Sequence, residues 1–532
     1  MTDEQVSPQQ NSEPMNAASL ESESPKVEST TSDSALPGSI LPETAMSEAA
    51  SPETEPSEAL TQPDEDEPNL SPWRDNIEAM VMAVIMALLL KYFLVEAYQI
   101  PSGSMQPTLI GHVSSNGTIK DRILADKLSY HFRDPERFEI VVFRYPLNRS
   151  KNFVKRLVGM PGEHFRVSGG DLWRRANEQD DWQILRRPRE VQTEMWKRLV
   201  LLDPEHSDWS TNSQNWQASG RQLIARESGQ ASFRPDEGSI MDTYNHGYPD
   251  SIRPLIPRIH QDSGIHPVSD LRIEAEVRAL PGCEAIALVL TEGSRKFTFR
   301  VPGPAAAPGE VPTIRQKDTW QNSRVPDRSN GAEVAYQLPA NQTVQIAAQN
   351  LDDLLQLEID GEIICSVEIE PADDQNSSAS IVVLGEGADL KDLMLYRDVH
   401  YTSDRAKVST IEIPEGMYFM LGDNTQNSSD SREWTFARYE ITDPETGATQ
   451  ILRGSHESNN LNPYIDAGAL DGPILYLRDE WGERHRLIQS DTKKLSYEIA
   501  PFVPRDHILG RAFAVFWPLD PLDGIYRFGW LH

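Results

Sequence analysis

Ser102 and Ser104 flank a glycine in the segment Gln99-Ile100-Pro101-Ser102-Gly103-Ser104-Met105-Gln106-Pro107-Thr108-Leu109. Two hydroxyls around Gly103 in a Pro-bounded turn suit a backbone that must approach a substrate carbonyl closely, because glycine adds no side chain. The plainer alternative is a polar turn beside an apolar run. A serine hydroxyl becomes a useful nucleophile only when a base takes its proton. The chain has 12 histidines, but none lies in this segment or in the two others that stand out, Phe153-Val154-Lys155-Arg156-Leu157-Val158-Gly159-Met160-Pro161-Gly162-Glu163 and Leu421-Gly422-Asp423-Asn424-Thr425-Gln426-Asn427-Ser428-Ser429-Asp430-Ser431-Arg432. A Ser-His-Asp arrangement therefore lacks its base. A lysine can take that role if desolvation or nearby cations lower its pKa toward neutrality. Lys155 is placed for this by Phe153, Val154, Leu157 and Val158, although a strand lysine ordinarily faces solvent.

The three segments, in this order, resemble the conserved boxes of the type I signal peptidases, membrane-anchored serine proteases with a Ser/Lys dyad. The resemblance implies Ser104 as nucleophile and Lys155 as general base. It implies that Ser102 completes an oxyanion hole with the Ser104 N–H, and that Ser428 orients the lysine amine. Asp423, Asp430, Arg432 and Arg156 match charged residues that brace the site. Ile100, Pro101, Met105 and Phe153 match positions lining pockets for small residues at −1 and −3 of the cleavage site. The implied partners are preproteins with such residues and the lipid bilayer, with no cofactor, no metal and no nucleic acid. The implied location is the bacterial cytoplasmic membrane, with the N-terminus cytoplasmic and the catalytic domain outside. Two departures stand out. Thr425-Gln426 replace an Arg-Asp pair, and Glu433-Trp434-Thr435 stand where the family has Tyr-Trp-Gly. The resemblance spans about 85–170, 405–436 and 503–532.

The 532 residues carry a formal net charge of −32, which excludes an electrostatic nucleic-acid binder. Nearly half of that charge sits in residues 1–70, where 16 Asp/Glu face one base, Lys26. Crowded with Ser, Pro and Thr, this stretch has too little apolar surface to offset the entropy of ordering and reads as a disordered acidic tail. Residues 77–95 read as a transmembrane helix, since about 20 apolar residues cross a bilayer; Lys91 near its end would snorkel. Val95-Glu96-Ala97 looks like a cleavage site after this run, but an uncleaved anchor is expected. Cys283 and Cys365 are the two cysteines, and their spacing leaves pairing open.

The fold expected is mainly β: a signal peptidase-like catalytic domain after one membrane helix, broken by insertions. Arg122–Leu128, Phe138–Tyr145, Phe153–Val158, Met417–Leu421 and Leu509–Trp517 read as its strands. Its three parts are 99–170, 405–436 and 503–532. Residues 171–235 form an insertion with no assignable fold, and 437–502 a second insertion. Residues 236–404 alternate with period 2 over 271–278, 285–290, 296–301, 343–348, 355–359, 363–369 and 380–384, with an Asp360-Gly361 turn. That spacing indicates an antiparallel sandwich. It looks like a concanavalin/laminin-G jelly roll, with a glycan or protein as a possible ligand. Alternatives to preprotein processing are a peptidase with a narrow substrate set, or an envelope-binding scaffold with a vestigial peptidase core. A Ser-x-x-Lys penicillin-binding enzyme is excluded by Gln106 and Pro107 after Met105.

Overall fold

The computed structural model describes residues 72–532, except for 112–118, 200–208, 220, 234–237, 257–263, 319–327, 373–375, 404–409, 443–445, 457–463, 469–471, 480, 482 and 521–524. The expected disordered tail, 1–70, lies outside the described residues.

The chain enters through helix α1, Pro72–Phe93. Its uncharged run, Ala79–Leu90, covers only about 18 Å at 1.5 Å per residue, short of the ~30 Å hydrocarbon core. Among the described residues, no helix is long and apolar enough to cross a membrane, so the expected span over 77–95 is corrected. The helix also ends earlier than expected, because Val95 already belongs to a strand.

That strand, β1 (Val95–Gln99), opens the sheet of the catalytic body. With it run β2 (Arg122–Asp126), β3 (Ile140–Tyr145), β4 (Asn148–Gly159), β5 (Met417–Leu421), β6 (Phe502–Pro504) and β7 (Ile508–Trp517). Their order is β1-β2-β7-β3-β4-β5-β6, with Gly529–Trp530 also on β7. Every pairing is antiparallel. The C-terminal strand β7 is thus wedged between β2 and β3, which explains why the catalytic body needs all three separated parts of the sequence. Ile140–Phe143 are all buried; a strand covered on both faces reads as an unbroken apolar run rather than an alternation. Phe138, expected inside this strand, has φ +73°, so pairing begins only after it. Residues 95–97, the look-alike cleavage site, are paired with Leu124–Asp126 and so are not free to enter a protease site.

A four-stranded sheet, Thr410–Glu412, His164–Ser168, Asp171–Arg175 and Gln183–Ile184 in spatial order, continues from the body. The inserted sandwich has two antiparallel sheets. Leu271–Ala279, Thr343–Leu351, Leu354–Ile359, Glu362–Glu368 and Ala388–Arg397 contribute to one; Cys283–Glu292, Arg295–Pro302, Thr313–Asp318 and Ser377–Gly385 to the other. Their facing side chains form the largest apolar cluster of the chain, including Phe297, Phe299, Ile346, Leu357 and Ile381. Asp360 and Gly361 at φ +49° and +82° make the tight hairpin turn that their residue types favour.

The sandwich begins earlier than its expected boundary at 236. Lys197–Arg198, Trp216–Ser219 and Gln222–Ala225 join its first sheet, and Trp209–Thr211 and Gly229–Phe233 its second. Strands of two to five residues leave almost no periodicity to read. Residues 437–502 supply a separate small antiparallel sheet from Thr435–Thr442 to Glu498–Ile499. Cys283 and Cys365 are both free and buried among apolar side chains, and burial pushes each thiol up to about 11.

Candidate active site

The segment with the two serines packs against the sheet by its apolar members. Ile100, Met105 and Leu109 are buried together with Ile123, Ile140 and Val142. This anchors a short 3-10 turn, Gly103–Met105, with Ser104 half-buried and Ser102 exposed. Lys155 lies in β4 opposite Val141 of β3, and Arg156 opposite Ile140 and Leu421. Successive strand residues point to opposite faces, so one dipeptide serves two sites.

Lys155 Nζ is 2.5 Å from Ser104 Oγ. The lysine is 2 % exposed, and its amine lies 6.0 Å from the centre of the Phe153 ring. Burial lowers its pKa from 10.5 to about 8; Asp430 opposes that shift and Arg432 adds to it. Ser102 Oγ is 3.4 Å from Ser104 Oγ. A hydroxyl poised against an amine whose pKa burial has lowered, with a second hydroxyl alongside, can attack a carbonyl and support the resulting oxyanion.

The charged residues form two separate braces. Arg156 holds Asp423 through Nε and Nη2, both 2.9 Å from the carboxylate oxygens, with both side chains fully buried. Its Nη1 donates to the Phe138 carbonyl at 2.7 Å. Arg432 grips Asp430 the same way, with two bonds of 2.8 Å, and Asp430 also accepts from the Gly422 N–H. Burial opposes ionisation of both carboxyls, but Arg156 for Asp423 and Arg432 for Asp430 outweigh it and hold them below the usual carboxylate range.

Ser428 departs from its expected role. Its Oγ is buried and has no hydrogen-bond partner among the described residues, so it does not contact the Lys155 amine. It packs instead at Gly422, where an added Cβ would lie 2.1 Å from Ser428 Oγ and 2.3 Å from the Ser104 carbonyl. Gly422 is therefore what lets the third segment close on the Ser104 turn. The four expected pocket residues also divide. Ile100 and Met105 are buried and Pro101 is exposed, while Phe153 stacks on Tyr145 at 4.2 Å and meets Trp434 edge-on.

Several positioning residues escaped the sequence reading. Asn424 donates its N–H to the Ser104 carbonyl at 3.2 Å and its Nδ2 to the Gly103 carbonyl at 2.8 Å. Gln106 Oε1 accepts from both Tyr244 and Tyr248 at 2.8 Å. Gln426 Nε2 donates to the Asp242 carbonyl at 2.8 Å. Residues 242–248 belong to the insertion, so the insertion itself braces the Ser104 turn. No local pattern marks partners that are 138 and 142 residues apart. Gln426, where the family has a charged residue, takes up one of these contacts. A neighbouring cleft of about 310 Å3, lined by Pro107, Thr108, Glu194, Trp196, Gly247 and Arg527 among others, reaches neither Ser104 nor Lys155.

The family model of the signal peptidases (peptidase S26) matches residues 73–219 and 338–442, which include Ser104, Lys155 and the third segment. Over these residues the chain is similar to the signal peptidases. A Synechocystis protein named "Probable signal peptidase I-2" is 41 % identical over 119 residues, covering 21 % of this chain and 50 % of that protein. The signal peptidase I of Leptolyngbya laminosa is 38 % identical over 120 residues, 21 % of this chain and 53 % of the relative. That of Pseudomonas fluorescens is 40 % identical over 97 residues, 16 % and 31 % respectively. The chain thus spans about half the length of the first two relatives or less of others. Among solved structures, the carbohydrate-binding module CBM66 from Bacillus subtilis aligns with 36 % of this chain and 96 % of its own, at 8 % identity and a TM-score of 0.23.

Proposed function

We propose that this chain is a serine endopeptidase that removes N-terminal signal peptides from exported preproteins. The observation that carries the reading is the 2.5 Å contact between a buried lysine amine and Ser104 Oγ. In the first step neutral Lys155 Nζ takes the Ser104 proton as Oγ attacks the scissile carbonyl carbon. The developing oxyanion is held by Ser102 Oγ and the Ser104 N–H, donors of a kind worth ~2.7–4 kcal/mol each. Lys155, now an ammonium, returns its proton to the leaving amine as the peptide bond breaks. The ester left on Ser104 is then hydrolysed by water, which gives its proton to Lys155 Nζ; the resulting ammonium passes it to Ser104 Oγ as the acyl group leaves. Asp423 with Arg156 and Asp430 with Arg432 keep the third segment and β4 in place; Ser428 fills the gap beside Gly422. Ile100, Met105 and Phe153 line the substrate-binding region, where small pockets reject large residues by clash.

Helix α1 supports a lipid-facing role. Ile77, Met80, Val81, Met82, Val84, Ile85, Met86, Leu88 and Leu89 are all exposed, an apolar surface unusual for a segment meant to face water alone. We place this helix at a bilayer, holding the catalytic body on the extracytoplasmic side where preproteins emerge. The test is incubation of the purified protein, in detergent, with a model preprotein bearing Ala at −1 and −3. Cleavage after the −1 residue, abolished by Ser104→Ala and by Lys155→Ala, is expected. Undiminished cleavage by the Ser104→Ala protein overturns the proposal.

A further inference from the structure

Away from the dyad, three carboxylates converge where the four-stranded sheet meets the sandwich. Asp171 opens the strand Asp171–Arg175, and Asp270 directly precedes Leu271–Ala279. Asp352 sits in the turn between Thr343–Leu351 and Leu354–Ile359. One oxygen of each lies within 4.8 Å of the others. Two oxygens on opposite sides of a calcium ion, each about 2.4 Å from it, are about 4.8 Å apart, so the spacing is that of a coordination shell.

A second observation concerns Asp352 alone. It is 2 % exposed, and its Oδ2 has no hydrogen-bond partner among the described residues. An ionised carboxylate buried without a partner is strongly unfavourable, and nearby arginines do not supply one. Arg187 Nη1 is committed to Asp398 at 2.8 Å and to Gln192 at 2.7 Å. Arg186 donates Nε and Nη2 to the Asp352 main-chain carbonyl, and pairs through Nη1 with Glu368.

We propose that Asp171, Asp270 and Asp352 bind a calcium ion that fastens the inserted sandwich to the peptidase body. An all-oxygen set without His or Cys selects an alkaline-earth ion over zinc or copper. Magnesium demands near-ideal octahedral geometry and retains waters, whereas calcium accepts irregular carboxylate cages. Because Asp171 lies on the four-stranded sheet that continues from the body and the other two lie on the sandwich, the ion would add a link between them.

The test uses the full chain in detergent, stripped with chelator and titrated with calcium chloride alone. Heat unfolding of the wild type and of Ser104→Ala should shift upward by about 2–4 °C, half-saturating between about 10−4 and 10−3 M as in extracellular calcium modules. Asp352→Asn and Asp171→Asn should each abolish the shift, and equimolar magnesium should produce less of it. Asp479→Asn, in the separate group Asp479, Glu483 and His485, should respond like wild type. If Asp352→Asn does not fold, the partly exposed Asp171→Asn decides. The proposal is overturned by a wild type without calcium response, or by an Asp171→Asn or Asp352→Asn protein that keeps it.

Discussion

Replacing Lys155, the proposed general base, by an apolar residue should make the protein inactive and more stable. Lys155 is 2 % exposed and its pKa is lowered from 10.5 to about 8, chiefly by burial. A difference of about 2.5 units between unfolded and folded states corresponds to about 3 kcal/mol at ~1.36 kcal/mol per unit. The sign follows from proton counting. Between pH 8 and 10.5 the unfolded chain holds a proton that the folded chain has released, so stability rises with pH across that window. Below pH 8 both states are protonated and the full penalty of the buried ammonium is present. Lys155→Met removes this penalty while keeping the volume. The hydrogen bond to Ser104 is lost with it, costing about 1 kcal/mol. The net expectation at pH 7 is a gain of about 2 kcal/mol, shrinking toward zero or below as pH approaches 10.5. Urea unfolding of both proteins at pH 7 and pH 10 measures it, read as a shift in midpoint at constant slope. A Lys155→Met protein that is no more stable at pH 7, or whose advantage grows with pH, refutes the claim that this lysine is held in place against its solvation.

Gly422→Ala would place a Cβ 2.3 Å from the Ser104 carbonyl and 2.1 Å from Ser428 Oγ; single-turnover cleavage should slow by about 100-fold, as for a misplaced nucleophile. Asp423→Asn leaves fully buried Arg156 without its counter-charge and should destabilise by about 3–5 kcal/mol, measured by urea unfolding at pH 7. Tyr248→Phe together with Tyr244→Phe strips both donors from Gln106 Oε1; kcat should fall by about 10-fold or less with KM little changed, because the turn is loosened and no substrate contact is removed.

The residues of the candidate site were legible because they are local. A serine beside a glycine, a lysine among Phe153, Val154, Leu157 and Val158, and a loop of paired charges are each visible within a dozen residues. The sandwich strands were legible too: 271–278, 343–348 and 355–359 alternate with the period of a half-buried sheet, and lie within Leu271–Ala279, Thr343–Leu351 and Leu354–Ile359. Residues 197–233 were not, since their strands are too short to carry a period and are held by pairing with Ala388–Arg397 and Ser377–Gly385. The grip of Tyr244 and Tyr248 on Gln106 is likewise a tertiary contact with no local trace. Ser428 was assigned by position in its loop, but a one-residue change of side-chain direction decides whether it meets Lys155 or Gly422, and sequence spacing does not fix that. Helix α1 was read as a membrane span from its apolar content, whereas its uncharged stretch is only Ala79–Leu90.

The pH dependence of kcat/KM on a model preprotein tests the central claim most directly. With Lys155 as general base, the rate should fall about tenfold per pH unit on the acid side and level off above an apparent pKa near 8, the value to which burial lowers this lysine. A profile that is flat from pH 5 to 9, or an acid limb near the histidine range of about 6.5, would contradict a lysine-activated serine.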